Sequence, residues 1–126
     1  MKVVSIKEPF ASLITHGIKK IETRSWKTNY RGKILIHSSL TKQEIRDSIK
    51  HLVDFELIRG YILCEAELVD CIYMTEEFIE DLKKNNYTEY LCGRYEVGRY
   101  AWVLDNIKPI KPIRAKGQLG IWNYNK

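Results

Sequence analysis

Two cations and a carboxylate, Lys19, Glu22 and Arg24, fall within six residues near the start of the chain. An aromatic and basic loop that contains Trp26 and Arg31 follows at once. Buried strands are rich in Val, Ile and Leu instead, whereas rings and cations together are suited to stacking and to contact with anions. The segment therefore predicts a binding site for a planar ligand that is polar or phosphorylated.

The residues alone leave two interpretations of this cluster open. One is a structural ion pair, although an exposed pair stabilises a fold by only about 0–1 kcal/mol. The other is recognition of a base, in which Glu22 accepts from an exocyclic amine while Lys19 and Arg24 donate to carbonyl or phosphate oxygens. Trp26 can stack on the ring, which contributes roughly 1–3 kcal/mol per base. Single-stranded RNA or a nucleoside is then the expected partner.

Charge is unevenly distributed along the chain, whose net charge is +5. Basic residues gather between Lys19 and Lys33 and again from Lys108 to Lys126, whereas acidic residues gather between Glu65 and Glu89. If the two basic segments lie together in the fold, they form a positive surface that attracts phosphates. The alternative is an ordinary solvated basic face.

Length and composition limit the class of protein. The 126 residues, 44% of them hydrophobic, predict one domain that spans residues 1–126. The first apolar run is too short for a signal peptide or a membrane span, so we expect a cytoplasmic protein without a membrane partner. The three cysteines form no C-x-x-C pair, and the chain has no metal motif or phosphate loop. We therefore expect neither metal nor cofactor.

Hydrophobic periodicity predicts the elements that position the cluster. A strand at residues 3–6 leads to a helix that opens at Pro9 and stops at Gly17, so the charged motif lies at a helix exit. Beyond it, strand alternation places Glu22 and Arg24 on one face. Lys19 reaches that face only if the chain turns or bulges first.

Further along, the pattern predicts two helices and several strands. A capping box at Thr41 opens a helix to about Asp54, and Thr75 caps a second one. Strands are expected at residues 32–37, 61–73, 99–107 and 116–124, and the two prolines at 109 and 112 permit only edge or turn structure there. Residues 85–98 are expected to be irregular and to act as a lid, with Arg99 as a ligand contact beside it.

Short strands with two or three peripheral helices predict an α+β fold with a small mixed β-barrel, because closure removes sheet edges that a small domain cannot cover. Three residues on the strands, His37, Trp102 and Trp122, are expected to pack in the core. Trp26 is the better candidate for stacking because it lies in a polar loop.

Several runs of the sequence carry a family resemblance, at residues 5–14, 17–24, 25–32, 34–39, 100–104 and 116–122. The second run has the pattern G-x-K-x-x-E-x-R. Together they resemble the ASCH domain family, which is named for homology to a transcriptional coactivator and is related to the PUA RNA-binding modules. The resemblance implies a PUA-like pseudobarrel with a cleft around this motif for RNA or nucleotide-like ligands. It also suggests Lys116 and Gln118 as cleft residues.

The resemblance opens an alternative, because some small ASCH proteins are amidohydrolases that act on N4-acylated cytidines. Those enzymes use a lysine and a threonine spaced K-x-x-T, whereas the same spacing here gives Lys19 and Glu22. A carboxylate cannot replace a hydroxyl nucleophile, so a hydrolase would need a water-based route. Glu22 would be the general base, Lys19 would polarise the carbonyl, and Glu65 or Glu67 would assist.

A ribonuclease is a second alternative. Lys19, Arg24 and Arg31 would stabilise a phosphorane while His37 or Tyr100 moved a proton. The favoured prediction remains ligand binding through eight residues: Lys19, Glu22, Arg24, Trp26, Arg31, Arg99, Lys116 and Gln118.

Overall fold

The fold is built on one mixed β-sheet. The computed structural model describes residues 1–125, in which six strands are formed: β1 Lys2–Ile6, β2 Ile21–Arg24, β3 Gly32–Ser38, β4 Tyr61–Tyr73, β5 Tyr100–Arg114 and β6 Ile121–Asn123. Their order across the sheet is β2-β5-β4-β3-β1-β6. β1 and β3 are parallel, and the other neighbouring pairs are antiparallel. The sheet curls into a half-barrel, which confirms the predicted fold class.

Helices flank the sheet. Between residues 1 and 125 they are α1 Phe10–Thr15, α2 Glu76–Asn85, α3 Tyr87–Leu91 and a 3₁₀ helix, Asp47–Leu52. The side-chain oxygen of Thr75 accepts from the Phe78 N–H at 3.1 Å, which confirms the predicted N-cap of α2. α2 contains no fully buried residue, and its apolar residues Phe78, Ile79 and Leu82 are half-buried.

The helix predicted from Thr41 to Asp54 is wrong over its first half. Residues 41–46 have no regular structure, and Arg46 has an extended backbone directly before the 3₁₀ helix. The guanidinium of Arg46 donates to the Leu91 carbonyl at 2.7 Å, and Ile49 is buried against Leu13. Tertiary contacts of this kind override local helix propensity and the capping box.

Residues 85–98 are also more ordered than expected. They contain α3, whose Glu89 is 3% exposed, and the Asn86 side chain caps this helix by accepting from the Glu89 N–H at 3.2 Å. The segment is rich in glycine and tyrosine, but it forms a packed helical turn and is not wholly irregular. Its role as a lid stays a prediction.

β4 follows the predicted periodicity, whereas β5, Tyr100–Arg114, is longer than the strand predicted at residues 99–107. In β4, residues 62, 64, 66 and 68 are buried, as alternation predicts. β5 runs through Pro109 and Pro112, but only its first part, Tyr100 to Val103, also pairs with β2. The prolines therefore lie where β5 is an edge, a position at which a strand tolerates a missing N–H group. Asn106 has a φ of 49° where two β5 residues oppose one on β4, a bulge that tightens the bend.

The core is divided between the two faces of the sheet. One cluster packs α1 against the strands and includes Ile36 and Trp102, and a second contains Val3, Leu35 and Trp122. A third, smaller cluster contains Leu13, Ile49 and Cys92. β3 contributes to the first two clusters, so it is buried on both faces. The expected core positions of Trp102 and Trp122 are confirmed, with exposed fractions of 1% and 6%.

His37 is also a core residue, held by hydrogen bonds at both ring nitrogens. Trp122 Nε1 donates to Ser5 Oγ at 3.1 Å, and Ser5 Oγ lies 3.0 Å from His37 Nδ1. Because an indole nitrogen can only donate, the serine proton is available to Nδ1, and Nε2 then donates to the Ala115 carbonyl at 2.7 Å. Gly117 packs so closely that a Cβ there would lie 2.9 Å from His37 Cε1. The ring therefore fixes the chain after β5.

This buried ring predicts a loss of stability in mild acid. Burial lowers the pKa of His37 below its ordinary 6.5. Just below that pH the unfolded chain is therefore protonated at His37 while the folded chain is not. We expect the free energy of unfolding of the wild type to fall as pH drops below 6.5, with a slope of up to about 1.4 kcal/mol per pH unit from this group. Urea denaturation between pH 7.5 and 5.5 measures it.

Two variants isolate the effect. His37→Gln should lower stability at pH 7.5 and should show a smaller pH slope than the wild type. His51→Gln, at an exposed position, should keep the wild-type slope. Equal slopes for the wild type and His37→Gln would contradict the assignment.

Candidate functional site

Glu22 and Arg24 form the polar centre of the site on β2. They are two residues apart on one strand face, and Arg24 Nε donates to Glu22 Oε2 at 3.1 Å. Arg24 also donates to the Ser5 carbonyl at 2.8 Å, and its guanidinium lies 5.8 Å from the Trp102 ring centroid. The arginine is therefore held between a carboxylate, a carbonyl and a ring, while three of its five N–H donors remain for a ligand.

A cleft of about 1160 Å³ opens beside this pair. Five chain segments border it: the end of β1 with the start of α1, residues 22–24 of β2, residues between 39 and 46, residues 90–99, and residues 116–120. Ligand pockets of roughly 300–1,000 Å³ accommodate most small molecules, so the cleft is large enough for more than one nucleotide-sized group.

Cations outnumber carboxylates in the cleft lining. The cations are Lys7, Arg24, Arg46, Arg94, Arg99 and Lys116, and the carboxylates are Glu22, Glu44 and Glu96. Glu96 accepts from Arg94 Nε at 2.9 Å, which lowers the pKa of Glu96. Because the lining holds six cations and three carboxylates, it has an excess of positive charge, which attracts anions.

One wall of the cleft is aromatic. Tyr90 and Tyr95 have nearly parallel rings whose centroids are 6.0 Å apart. Burial, together with Glu89 and Glu22, raises the pKa of Tyr95, so its hydroxyl stays protonated and can donate. A Cβ on Gly93 would lie 2.6 Å from Tyr95 Cε2, so the backbone approaches the ring at a distance that only glycine allows.

Lys19 lies outside the cleft lining, although it is the second cation of the sequence cluster. It is 1% exposed, its Nζ lies 3.6 Å from Glu89 Oε2, and it donates to the Ile21 carbonyl. Its ammonium also lies 5.7 Å from the centroid of the Phe10 ring. Because the Lys20 N–H donates to Glu89 Oε1 at 2.6 Å, Glu89 joins α3 to the start of β2.

Three other predicted site residues also lie outside the cleft lining. Trp26 is 37% exposed and packs edge-on against Trp102, with centroids 4.7 Å apart. Arg31 donates to the carbonyls of its own loop at 2.8 and 3.0 Å. Glu65 lies on β4, 3.8 Å from the ammonium of Lys33.

The structure therefore separates the predicted site residues into two sets. Five of them line one cleft: Glu22, Arg24, Arg99, Lys116 and Gln118. Lys19 and Glu65 do not line the cleft that contains Glu22. The buried ring of His37 is hydrogen-bonded at both nitrogens, to Ser5 and to the Ala115 carbonyl.

Sequence reasoning missed the aromatic wall. Tyr90 and Tyr95 fall in the segment for which the pattern predicts irregular structure, and neither is among the predicted ligand contacts. The spacing of Tyr87 and Tyr90, three residues apart, is an available signal, because it places two rings on one face of a helical turn.

Other expectations concern metals, thiols and membranes. In the described part of the chain, no group of three or more His, Cys, Asp or Glu side chains is placed to hold a metal ion. Cys64, Cys71 and Cys92 are free, and burial raises the pKa of Cys64 to about 11. None of the helices in residues 1–125 has the length and hydropathy needed to span a membrane.

Comparison with known proteins supports the resemblance seen in the sequence. A family model described as "ASCH domain" matches residues 4–114. The protein "Activating signal cointegrator 1" of Homo sapiens is 35% identical to this chain over 81 residues, and that of Mus musculus is 33% identical over the same length. Each match covers 55% of this chain but only 14% of the relative, so the chain corresponds to a small part of these proteins.

Solved structures share the fold. The structure titled "Crystal structure of ASCH from Zymomonas mobilis" superposes with a TM-score of 0.66 at 16% identity and covers 99% of this chain and 87% of that one. A crystal structure of a point mutant of the Zymomonas mobilis protein has a TM-score of 0.58 at 20% identity, with 90% of this chain and 74% of that one covered. At these identities the likeness shows the fold alone.

The buried pair of Lys19 and Glu89 predicts a large effect on stability. Lys19→Met leaves the Glu89 carboxylate buried without its cation, so we expect the free energy of unfolding to fall by about 3–5 kcal/mol. Adding Glu89→Gln should restore part of this loss, because the uncompensated charge is then removed. Urea denaturation of the two variants measures both effects.

Lys33→Met is the matched control, because Lys33 and Glu65 form a more exposed pair, with side chains 57% and 26% exposed. It should lower the free energy of unfolding by less than about 1 kcal/mol. A Lys19→Met protein as stable as Lys33→Met would show that the buried pair does not hold the two elements together.

Proposed function

This chain belongs to the ASCH domain family, and on that premise we propose that residues 1–126 act as one domain that binds single-stranded RNA in the cleft beside β2. The observation that carries the proposal is the Glu22–Arg24 pair in a cleft whose lining holds more cations than carboxylates. The pair offers both an acceptor and donors at one place. The surrounding cations supply the attraction for phosphates that nucleic-acid binding requires.

The polar groups of the cleft match the edges of a base. Glu22 has a second carboxylate oxygen that can accept from an exocyclic amine, and Arg24 has N–H groups that can donate to a base carbonyl. Gln118, on another border of the cleft, carries an amide that can both donate and accept. Recognition of this kind suits unpaired bases, whose edges are accessible to side chains.

The basic residues of the cleft provide contacts for the backbone of the strand. Lys7 and Lys116 are exposed, and Arg99 is half-buried at the border of the cleft. Contacts from such residues to phosphates position a strand without selecting its sequence. The proposal therefore assigns base contacts to the β2 pair and phosphate contacts to the rim.

Neither enzymatic alternative has a structural observation in its favour. The acylcytidine hydrolase would use Lys19 and either Glu65 or Glu67 beside Glu22. Lys19 is instead paired with Glu89 and Glu65 with Lys33, and Glu67 accepts from the Asn106 amide outside the cleft lining. The ribonuclease needs a proton carrier, but His37 is buried in a structural network and Tyr100 lies outside the cleft lining, packed against Tyr73. We therefore propose binding rather than catalysis.

Fluorescence anisotropy of a labelled eight-nucleotide RNA tests the proposal. We expect the wild type to bind with an affinity that falls with salt, because each phosphate contact to a single strand contributes about −0.7 to the slope of log K against log salt. Lys116→Gln should make the slope less negative by about that amount. Glu22→Gln should weaken binding of some sequences more than others while leaving the slope nearly unchanged.

The matched control is Lys27→Gln, which removes one exposed cation in the loop after β2, outside the cleft lining. It should bind RNA nearly as the wild type does. Equal losses for Lys116→Gln and Lys27→Gln would indicate attraction to overall charge rather than to the cleft. Absence of wild-type binding at low salt would refute the proposed function.

A further inference from the structure

Three tyrosines form a row that begins in the cleft and continues outside it. The ring centroids of Tyr95 and Tyr90 are 6.0 Å apart, and those of Tyr90 and Tyr87 are again 6.0 Å apart, with an angle of 21° between the ring planes in both pairs. Tyr90 and Tyr95 border the cleft, whereas Tyr87 lies beyond its lining and is 55% exposed. Three nearly parallel rings therefore lead from the interior of the cleft to the surface.

Local structure explains how the row is formed. Tyr87 and Tyr90 are three residues apart on α3, so their side chains share one face of the helix. Tyr95 follows after the turn at Gly93, whose closeness to the Tyr95 ring fixes the position of that ring. α3 itself is anchored by the buried Glu89. The exposed ring of Tyr87 and the half-buried ring of Tyr90 thus lie on an anchored helix.

Cations accompany the row. The ammonium of Lys83, in the last turn of α2, lies 5.5 Å from the centroid of the Tyr90 ring. Lys84 is its neighbour and is also exposed. The acidic residues of α2 lie earlier in the helix, where Asp81 accepts from the Asn85 amide at 2.8 Å. The end of α2 that carries Lys83 beside the tyrosines is therefore the basic end.

A single exposed aromatic residue is ordinary on a protein surface, so the exposure of Tyr87 alone would indicate nothing. The row differs because it is continuous with a cleft whose lining is rich in cations, and because a lysine lies over its middle ring. Stacking rings beside positive charge are what proteins use to hold successive bases of a single strand.

We propose that the row formed by Tyr95, Tyr90 and Tyr87 extends the cleft into a track for one RNA strand, in which a base outside the cleft stacks on the exposed ring of Tyr87 and Lys83 contacts a phosphate. This inference rests on the proposed function and adds to it the length of the bound strand and its path beyond the cleft. The ligand is a strand of several nucleotides, part of which lies outside the cleft, rather than a single nucleotide.

Length dependence of binding tests the track. Labelled oligocytidylates of two, four, six and eight nucleotides are titrated by anisotropy at neutral pH, because cytosine carries the exocyclic amine from which Glu22 can accept and these oligomers form little base-paired structure. Affinity of the wild type should rise with length beyond what the cleft alone holds. Tyr87→Ala should weaken binding of the longest oligomer by about fivefold to a hundredfold while leaving the dinucleotide unaffected.

Two further variants separate stacking from other effects. Tyr87→Phe keeps the ring and should bind all lengths as the wild type does. Lys83→Gln should make the salt slope for the longest oligomer less negative by about 0.7, with no change for the dinucleotide. Tyr73→Ala, at a tyrosine that is 51% exposed on β4 and outside the cleft lining, should leave every length unchanged.

The possible results distinguish the track from the cleft. If the wild type binds all four lengths equally, or if Tyr87→Ala binds the longest oligomer as the wild type does, the track is refuted while RNA binding by the cleft stands. If no oligomer binds the wild type, both proposals fail. Thermal unfolding of each variant checks that the chain remains folded, and Lys83→Gln decides the case if Tyr87→Ala does not fold.

Discussion

The buried ion pair of Lys19 and Glu89 is the constraint on which the cleft depends. It joins α3 to the residues that precede β2, so it sets the distance between the polar pair of Glu22 and Arg24 and the aromatic wall. A buried pair of this kind contributes little net stability against an apolar alternative, but neither partner can be removed without leaving a charge in the interior. Its value here is geometric, because it fixes one wall of the cleft relative to another.

A second buried network fixes another border of the cleft, residues 116–120. The chain of hydrogen bonds from Trp122 through Ser5 to His37 ends on the Ala115 carbonyl, directly before the segment that carries Lys116 and Gln118. Buried polar groups thus hold α3 and residues 116–120 in place, and neither segment is paired in the sheet. Binding residues commonly lie on segments that a rigid scaffold positions. Here buried side chains connect the sheet to those segments.

Local patterns in the sequence predicted most of the sheet but only part of the site. Alternation located β4, and the apolar run before His37 located β3, because both signals depend on neighbours along the strand. The partner of Lys19 could not be predicted in this way, since Glu89 is distant in sequence and lies in a segment without a clear period. Arg46 shows the same limit, because its contact with Leu91 overrides the helix that local residues favour.

The open edge formed by the outer part of β5 affects how the chain behaves at high concentration. The outer part of β5 has one neighbouring strand, and an open edge of this length is a template on which another chain can add a strand. Pro109 and Pro112 each lack the N–H that such an addition needs, and the bulge at Asn106 interrupts the regular register. The half-barrel can therefore remain open on this side with a reduced tendency to aggregate.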